Sequence, residues 1–360
     1  MNTKKIMAAI LVSALILTGC NKVPDETSST NTINTSSIES SEVTQTEATT
    51  EETAETTQEP FEFNPHPYSS ILAQEIPQDY WDSFYNMVDA FRVGADTFEC
   101  SSEEAYQWCM KLSTLANLAP AACKKITGES NDGSVPYENG VGHIYYTIPV
   151  DEFLSRESIF ERDIVNVING YVEKDDTDFE KCLKLYDYME CYYDYDHDVN
   201  LDVPTSDGYV YAAFMNHTGV CIDFAALYIY LLRQVGVEAN PVGCDSPVNH
   251  EWVYVTINGQ RYHIDPTWSL KSTRGSDLLF LDYFMMSSNA RQENGCNVDN
   301  LTMQMLPGYW IKYTSIELPA TDDRYYLDQY SYFISLDEDN KILYYGNADG
   351  ETCSLNYGEL

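Results

Sequence analysis

Three residues in the middle of the chain have the types and settings that thiol chemistry requires: Cys221, His250 and Asp265. Cys221 opens a segment whose apolar residues recur at helical spacing until Gly236. A thiol at a helix start lies beside unpaired backbone N–H groups and the positive end of the helix dipole, which favour the reactive thiolate. The position of Cys221 therefore predicts a nucleophile.

A predicted hairpin brings the other two residues together. Two strand-like runs flank an Asn-Gly dipeptide at 258–259, a strong signal for a two-residue turn. Counting outward in pairs sets Trp252 opposite Asp265, and His250 lies two residues earlier on the same face. Its Cβ is then diagonal to that of Asp265, at roughly 7–8 Å, which the two side chains can span. The pattern predicts that Asp265 orients His250, whose other ring nitrogen accepts the cysteine proton.

Other interpretations of these residues remain open. In the same register His263 falls opposite Tyr254, on the face of His250, so it is a second candidate for the base or for a wall of the site. Cys221 alone is also compatible with a small buried apolar role. Zinc is not expected because the chain has no CxxC and its histidines lack ligand spacing. No cofactor or metal is predicted.

Three ordered segments resemble the core motifs of the bacterial transglutaminase-like superfamily: Gly219–Ala225, Asn249–Trp252 and His263–Trp268. The flanking segments Leu185–Tyr188, Tyr193–Asp196 and Leu281–Met285 are similar to that family as well. The resemblance covers about residues 170 to 290. It implies that Cys221 is the nucleophile, His250 the base and Asp265 the orienting acid.

The expected fold class is α+β with a transglutaminase-like, cysteine-protease-like core. Cys221 begins a central helix that packs on an antiparallel sheet carrying His250 and Asp265. An oxyanion needs donors, and the Cys221 N–H is one candidate. The resemblance suggests a second donor from an upstream side chain, for which Tyr211 is preferred over its neighbours Tyr209 and Asn216.

Two tryptophans flank the hairpin motif. Trp252 and Trp268 are candidates for the walls of the cleft, together with His263. Core packing explains both tryptophans equally well.

The first 20 residues have the pattern of an export signal. Lys4 and Lys5 precede a short apolar run that ends in Leu-Thr-Gly-Cys at 17–20. That ending resembles a bacterial lipobox, which implies a lipid on Cys20 and an outward-facing lipoprotein on the bacterial cell membrane. An ordinary signal peptide with a chance cysteine is the alternative.

Composition divides the remainder of the chain. Residues 21–60 are rich in Ser, Thr and Glu and predict a disordered tether. We expect a mostly helical region at 61–170, the catalytic core at 171–290 and a β-rich region at 291–360. Within these, a strand is expected over 141–150, a helix over 160–171 and a polar insert near 289–300. The tail either completes the catalytic sheet or forms its own β module.

Charge and cysteine content limit the partners. The net charge is −37, from 57 acidic and 20 basic residues, which excludes a basic nucleic-acid-binding face. Alternating acids at 194–202 lack the Gly and Glu of a calcium loop, so a solvated acidic loop is the preferred interpretation. Ten cysteines less Cys20 and Cys221 leave eight that can pair.

Taken together, these patterns predict an exported thiol enzyme. The Cys221 thiolate attacks an amide carbonyl, and water resolves the thioester, giving hydrolysis of a protein or peptide substrate at the cell envelope. Resolution by a lysine amine, giving a cross-linking transglutaminase, is the alternative. A binding module that keeps the fold without turnover is a third possibility.

Overall fold

A five-stranded antiparallel sheet carries the His-Asp hairpin between two layers of helices. In this computed structural model, the structure describes residues 59–130, 133–198, 207–244, 248–296, 298, 301–306, 309–313 and 319–358. The predicted export signal, Cys20 and nearly all of the tether lie outside the described residues. Everything described belongs to one compact unit, Thr56–Leu360. Among the residues described, no helix has the length and apolarity needed to cross a bilayer.

The N-terminal region combines five helices with short strands. The helices are α1 (Leu72–Glu75), α2 (Gln78–Arg92), α3 (Glu103–Cys109), α4 (Leu112–Leu118) and α5 (Val150–Tyr171), and the strands are β1 (Thr97–Glu99), β2 (Ile126–Thr127), β3 (Tyr137–Glu138), β4 (Val141–His143) and β5 (Tyr145–Tyr146). The strand expected over 141–150 is therefore wrong in extent, since it is broken at Ile144. The helix expected from 160 begins at Val150, where Pro149 supplies a suitable start.

The central region begins with a capped helix and ends with the hairpin. Its elements are α6 (Asp178–Tyr192), β6 (Asp194–Tyr195), α7 (Tyr209–Asn216), β7 (Thr218–Gly219), α8 (Cys221–Gln234), β8 (Glu238–Cys244), β9 (His250–Ile257), β10 (Gln260–Ile264), α9 (Lys271–Arg274) and α10 (Ser288–Glu293). Thr177 and Glu180 form the capping box that starts α6. Asn258 and Gly259 both have positive φ, as a type I′ turn requires.

The C-terminal strands divide between two sheets. They are β11 (Leu301–Leu306), β12 (Tyr309–Tyr313), β13 (Tyr332–Asp337), β14 (Ile342–Gly346) and β15 (Thr352–Asn356). The central sheet has the order β10-β9-β8-β11-β12, whereas β13, β14 and β15 form a sheet of their own. Strands β11 and β12 thus complete the central sheet, and β13 to β15 form a separate β module, so each sequence alternative holds for one part of the tail.

The two faces of the central sheet are buried against different layers. On β9, Val253 and Val255 belong to the cluster that contains α8, while Trp252 and Tyr254 belong to the cluster built by the N-terminal helices. This alternation follows from the period of two in a strand. The expected α+β fold class, with α8 packed on an antiparallel sheet, is confirmed. Because the N-terminal helices cover the second face, β9 is shielded from water on both sides.

Candidate active site

Cys221 is the first residue of α8, as the sequence predicts. It is half-buried, and Val220 occupies the cap position before it. The carboxylate of Asp223 accepts a hydrogen bond from the Val220 N–H at 2.9 Å. A Cβ on Gly219 would lie 2.9 Å from the Asp223 Cβ, so a larger residue there would displace this cap. The local sequence therefore places the thiol at the positive end of a well-capped helix.

His250 and Asp265 meet as the hairpin register predicts. Gln260 pairs with Ile257 at the turn, and the ladder continues to Ile264 opposite Val253. The imidazole Nε2 lies 2.6 Å from Asp265 Oδ2. Because Nε2 is engaged by the carboxylate, Nδ1 is the nitrogen left for the thiol of Cys221, which lies near enough to this ring to help raise its pKa. The three predicted residues are brought together.

The pKa of His250 is set by opposing effects. Burial lowers it, whereas the charge of Asp265 and the hydrogen bonds to Asp265 and Cys221 raise it, and the result is a pKa of about 9. The imidazolium is therefore the stable form at neutral pH. The site therefore holds a positive ring beside Cys221.

Asp265 is fully buried and has a partner for each oxygen. Its Oδ1 accepts from the N–H of Thr267 at 3.0 Å and from that of Trp268 at 3.3 Å. Its Oδ2 contacts His250 and also Arg291 Nη2, at 2.7 Å. Although burial raises the pKa of this carboxyl, the charges of His250 and Arg291 hold it below its usual range. Asp265 thus stays ionised although it is fully buried.

Arg291 is the main feature that sequence reasoning missed. Its side chain is fully buried, and its guanidinium lies between two indole rings, 4.4 Å from the centroid of Trp252 and 4.4 Å from that of Trp268. It stands on α10, within the stretch expected to be a polar insert. The weak signal available was Ser287, which caps this short helix by accepting from Ala290 N–H. Nothing in the pattern indicated that the arginine points inward.

Trp252 and His263 do not line a cleft, contrary to expectation. Both are fully buried, and the Trp252 indole donates to His263 Nδ1 at 3.0 Å. Burial and the charge of Arg291 lower the pKa of His263 to about 3, so its ring is neutral. Both ring nitrogens of His263 are already engaged, Nδ1 by Trp252 and Nε2 by Ser288, so this residue is unsuited to act as the base. Trp268 remains a candidate wall, since it is only half-buried and stacks on His250 at 4.6 Å.

Tyr211 is wrongly placed for an oxyanion donor. Its ring lies 3.4 Å from the Arg156 guanidinium and 5.5 Å from Phe160, on the side of α5. Tyr195 is better placed, because it pairs with Gly219, two residues before Cys221. Burial, followed by the charge of Cys221, raises the pKa of Tyr195 and keeps its phenol protonated. It therefore offers a donor near the nucleophile.

Two carboxyl groups beside the site were also missed. Burial raises the pKa of Asp223 to about 6 and that of Glu251 to about 8, and the charge of Asp223 adds to the shift of Glu251. Glu251 is consequently neutral near pH 7. Alternation along β9 turns Glu251 to the face opposite to that of His250, towards α8.

Glu190 lies buried near Asp265 without visible compensation. Its side chain is 1% exposed, and within the described part of the chain neither carboxyl oxygen has a hydrogen-bond partner. Burial, and then the charge of Asp265, raise its pKa well above the usual range. Burial therefore favours the neutral form of this carboxyl in the folded protein.

No site for a metal ion is evident in the ranges that the structure covers, where three potential ligands nowhere cluster. The alternating acids at 194–202 are only partly described, so the calcium alternative lies largely outside these ranges. Asp194 forms part of β6.

Comparison with known proteins identifies the central region. Residues 165–266, which include Cys221, His250 and Asp265, match the model of the transglutaminase-like superfamily. A solved structure of a candidate cysteine protease from Cytophaga hutchinsonii is similar at 19% identity, over 31% of this chain and 37% of that one, with a TM-score of 0.25. The match thus spans little more than a third of that protein. No curated protein matches the chain.

Proposed function

Because residues 165–266 form a domain of the transglutaminase-like superfamily, we propose that the chain is a cysteine-based enzyme that hydrolyses amide bonds in proteins or peptides. The observation that carries this proposal is that Cys221, at the start of α8, lies beside His250, which in turn is hydrogen-bonded to Asp265. The family supports a cysteine enzyme in general. The reaction type is the proposal.

The first half of the reaction forms a thioester. The Cys221 thiolate attacks the amide carbonyl carbon, and the oxyanion is stabilised by the Cys221 N–H and the Tyr195 hydroxyl. The His250 imidazolium then gives its proton to the departing amine, so that the C–N bond breaks and a neutral amine leaves. Asp265 holds the ring in the orientation that both steps require.

The second half returns the enzyme to its starting state. Neutral His250 takes a proton from water, the hydroxide attacks the thioester, and the C–S bond breaks to release the acid and the thiolate. Water is favoured as the acceptor because Cys221 is half-exposed rather than enclosed. A lysine amine in place of water would give cross-linking by the same steps.

Reactivity of the thiol is the first test. The full-length chain is treated with iodoacetamide between about pH 5 and 9, and labelling is followed by peptide mass analysis. We expect Cys221 to react faster than the exposed Cys191 in the same molecule, and His250→Gln to remove that advantage. Equal rates at Cys221 and Cys191, unaffected by His250→Gln, would leave a non-catalytic binding module as the better account.

The acceptor is decided by a second experiment. Wild type and Cys221→Ala are incubated with amide-containing peptides, with and without a primary amine probe. Acid products that are unchanged by the amine support hydrolysis, whereas amine adducts support cross-linking.

We propose further that the enzyme is anchored on the outer face of a bacterial membrane by lipid on Cys20 and that its substrates lie in the cell envelope. The support is the sequence pattern at residues 1–20. The acidic charge is compatible with basic substrates.

A further inference from the structure

Two cysteines behind the proposed active site lie side by side. Cys244 is the last residue of β8, and Cys296 follows α10. They are about 50 residues apart in the chain, yet they belong to one buried cluster, and Cys244 is near enough to Cys296 to be the main cause of its raised pKa. Both side chains are buried, with exposures of 4% and 1%. Neither takes part in the proposed reaction.

Each cysteine is joined to a segment that holds the site. Cys244 is the cross-strand partner of His250. The N–H of Cys296 donates to the carbonyl of Arg291 at 3.3 Å. A bond between the two sulfurs would therefore tie the strand of the base to the helix of the buried arginine.

The backbones are close for a reason independent of the thiols. Strand β11, which begins shortly after Cys296, pairs with β8 through Thr302 and Gly243. Gly243 precedes Cys244, so the sheet itself holds the two chain segments adjacent. Val242 and Val298 belong to the same apolar cluster as the two cysteines.

We propose that Cys244 and Cys296 form a disulfide in the mature protein, with a low-molecular-weight or protein disulfide as the oxidant. One thiolate attacks the donor disulfide, forming a mixed disulfide and releasing one donor thiolate. The second cysteine thiolate then attacks the sulfur of the first, forming the Cys244–Cys296 bond and releasing the second donor thiolate. Two protein protons are lost, and the donor gains two electrons.

Burial makes this bond persistent once formed. Attack on a disulfide needs access to a sulfur and a leaving thiol of low pKa. Donation from the Cys296 S–H to Cys244, together with burial, instead raises the pKa of Cys296 well above its ordinary value. The disulfide is thus expected to form during folding and to resist mild reductants afterwards.

Mass analysis tests the bond directly. The full-length chain is expressed with its own leader, denatured without reductant in the presence of N-ethylmaleimide and digested. We expect a linked peptide pair containing Cys244 and Cys296 that separates on reduction. The same protein, reduced, refolded and offered oxidised glutathione, should restore this pair. Maleimide on both cysteines in the first sample, together with no linked pair in the second, would overturn the proposal.

A thermal measurement tests the consequence. A disulfide that closes a loop of this length should raise Tm by roughly 5–10 °C. When the protein is unfolded in dithiothreitol and refolded, the disulfide is reduced and this increase in Tm should be lost. Cys296→Ser should have the lower Tm and no response to the reductant. Cys353→Ser, which changes a half-buried cysteine on β15, is the matched control and should retain the response. A response that survives in Cys296→Ser would refute the pairing. The outcome does not depend on whether Cys221 is a nucleophile.

Discussion

One carboxylate oxygen of Asp265 is shared by a base and a buried cation: Oδ2 lies 2.6 Å from His250 Nε2 and 2.7 Å from Arg291 Nη2. The fully buried carboxylate therefore carries its charge between two positive groups. Breaking such a buried pair by removing one partner leaves an uncompensated charge. Arg291 is thus expected to matter both for stability and for the orientation of His250.

Replacement of Arg291 should be costly. We expect Arg291→Met to lower the free energy of unfolding by about 3 kcal/mol and to slow alkylation of Cys221, because Asp265 loses its second cation. Denaturant unfolding and labelling kinetics measure the two effects. Arg324→Met removes an arginine from an ion pair at the surface with Asp322 and should lower stability far less than Arg291→Met does. Similar losses in both variants would contradict the role assigned to Arg291.

Stability should depend on pH through His250. Its folded pKa of about 9 lies above the ordinary value of 6.5, so its contribution is fully present below about pH 6.5 and is lost as pH rises through about 9. The groups that set this pKa are Asp265 and Cys221, and Glu251 is also electrostatically coupled to His250. Denaturant unfolding of wild type and His250→Gln from about pH 6 to 10 should show a difference that declines by about 3 kcal/mol. If the difference in unfolding free energy between the two proteins did not change with pH, the pKa assigned to His250 would be wrong.

The proposed oxyanion donor can be separated from its rejected neighbour. Tyr195→Phe should lower kcat by about 100-fold on an amide substrate while leaving the rate of Cys221 alkylation nearly unchanged, since alkylation forms no oxyanion. Tyr211→Phe changes a ring that packs against α5, so its kcat should stay within about twofold of the wild-type value. If the two variants behave alike, Tyr195 is not the donor.

The buried Glu190 carboxyl allows a test of stability that does not depend on the proposed reaction. Its buried carboxyl has a raised folded pKa, so ionisation opposes folding increasingly as pH rises above the ordinary value near 4.5. Glu190→Leu should therefore stabilise the protein by about 1–3 kcal/mol at pH 8 and by less at pH 5. Asp349→Leu, at an exposed turn, should show no such gain. Destabilisation at both pH values would indicate that Glu190 has a partner in solution.

Lipidation is tested at Cys20. Cells expressing the full-length chain with labelled palmitate should yield labelled protein in the membrane fraction, and Cys20→Ala should lose the label and leave that fraction. Cys191→Ala is the control for loss of an unrelated cysteine. Unlabelled wild-type protein would support the simple signal-peptide alternative.

Local patterns determined much of the site. The Asn-Gly turn has the backbone geometry that sets a hairpin register by itself, so the meeting of His250 and Asp265 followed from counting residues. Helical spacing and Gly236 likewise predicted where α8 begins and ends. These features depend on neighbours close in sequence, which is why the sequence alone was sufficient.

Only the tertiary structure decided which distant side chains complete that site. Arg291 is buried because two tryptophans from separate segments enclose its guanidinium, an arrangement that no periodicity encodes. The sequence pointed to Tyr211 as the oxyanion donor, but that side chain packs towards α5. A parallel strand pair instead brings Tyr195, which the sequence did not single out, close to Cys221. Contacts between segments far apart in the chain depend on packing rather than on local pattern, so they appear only in three dimensions.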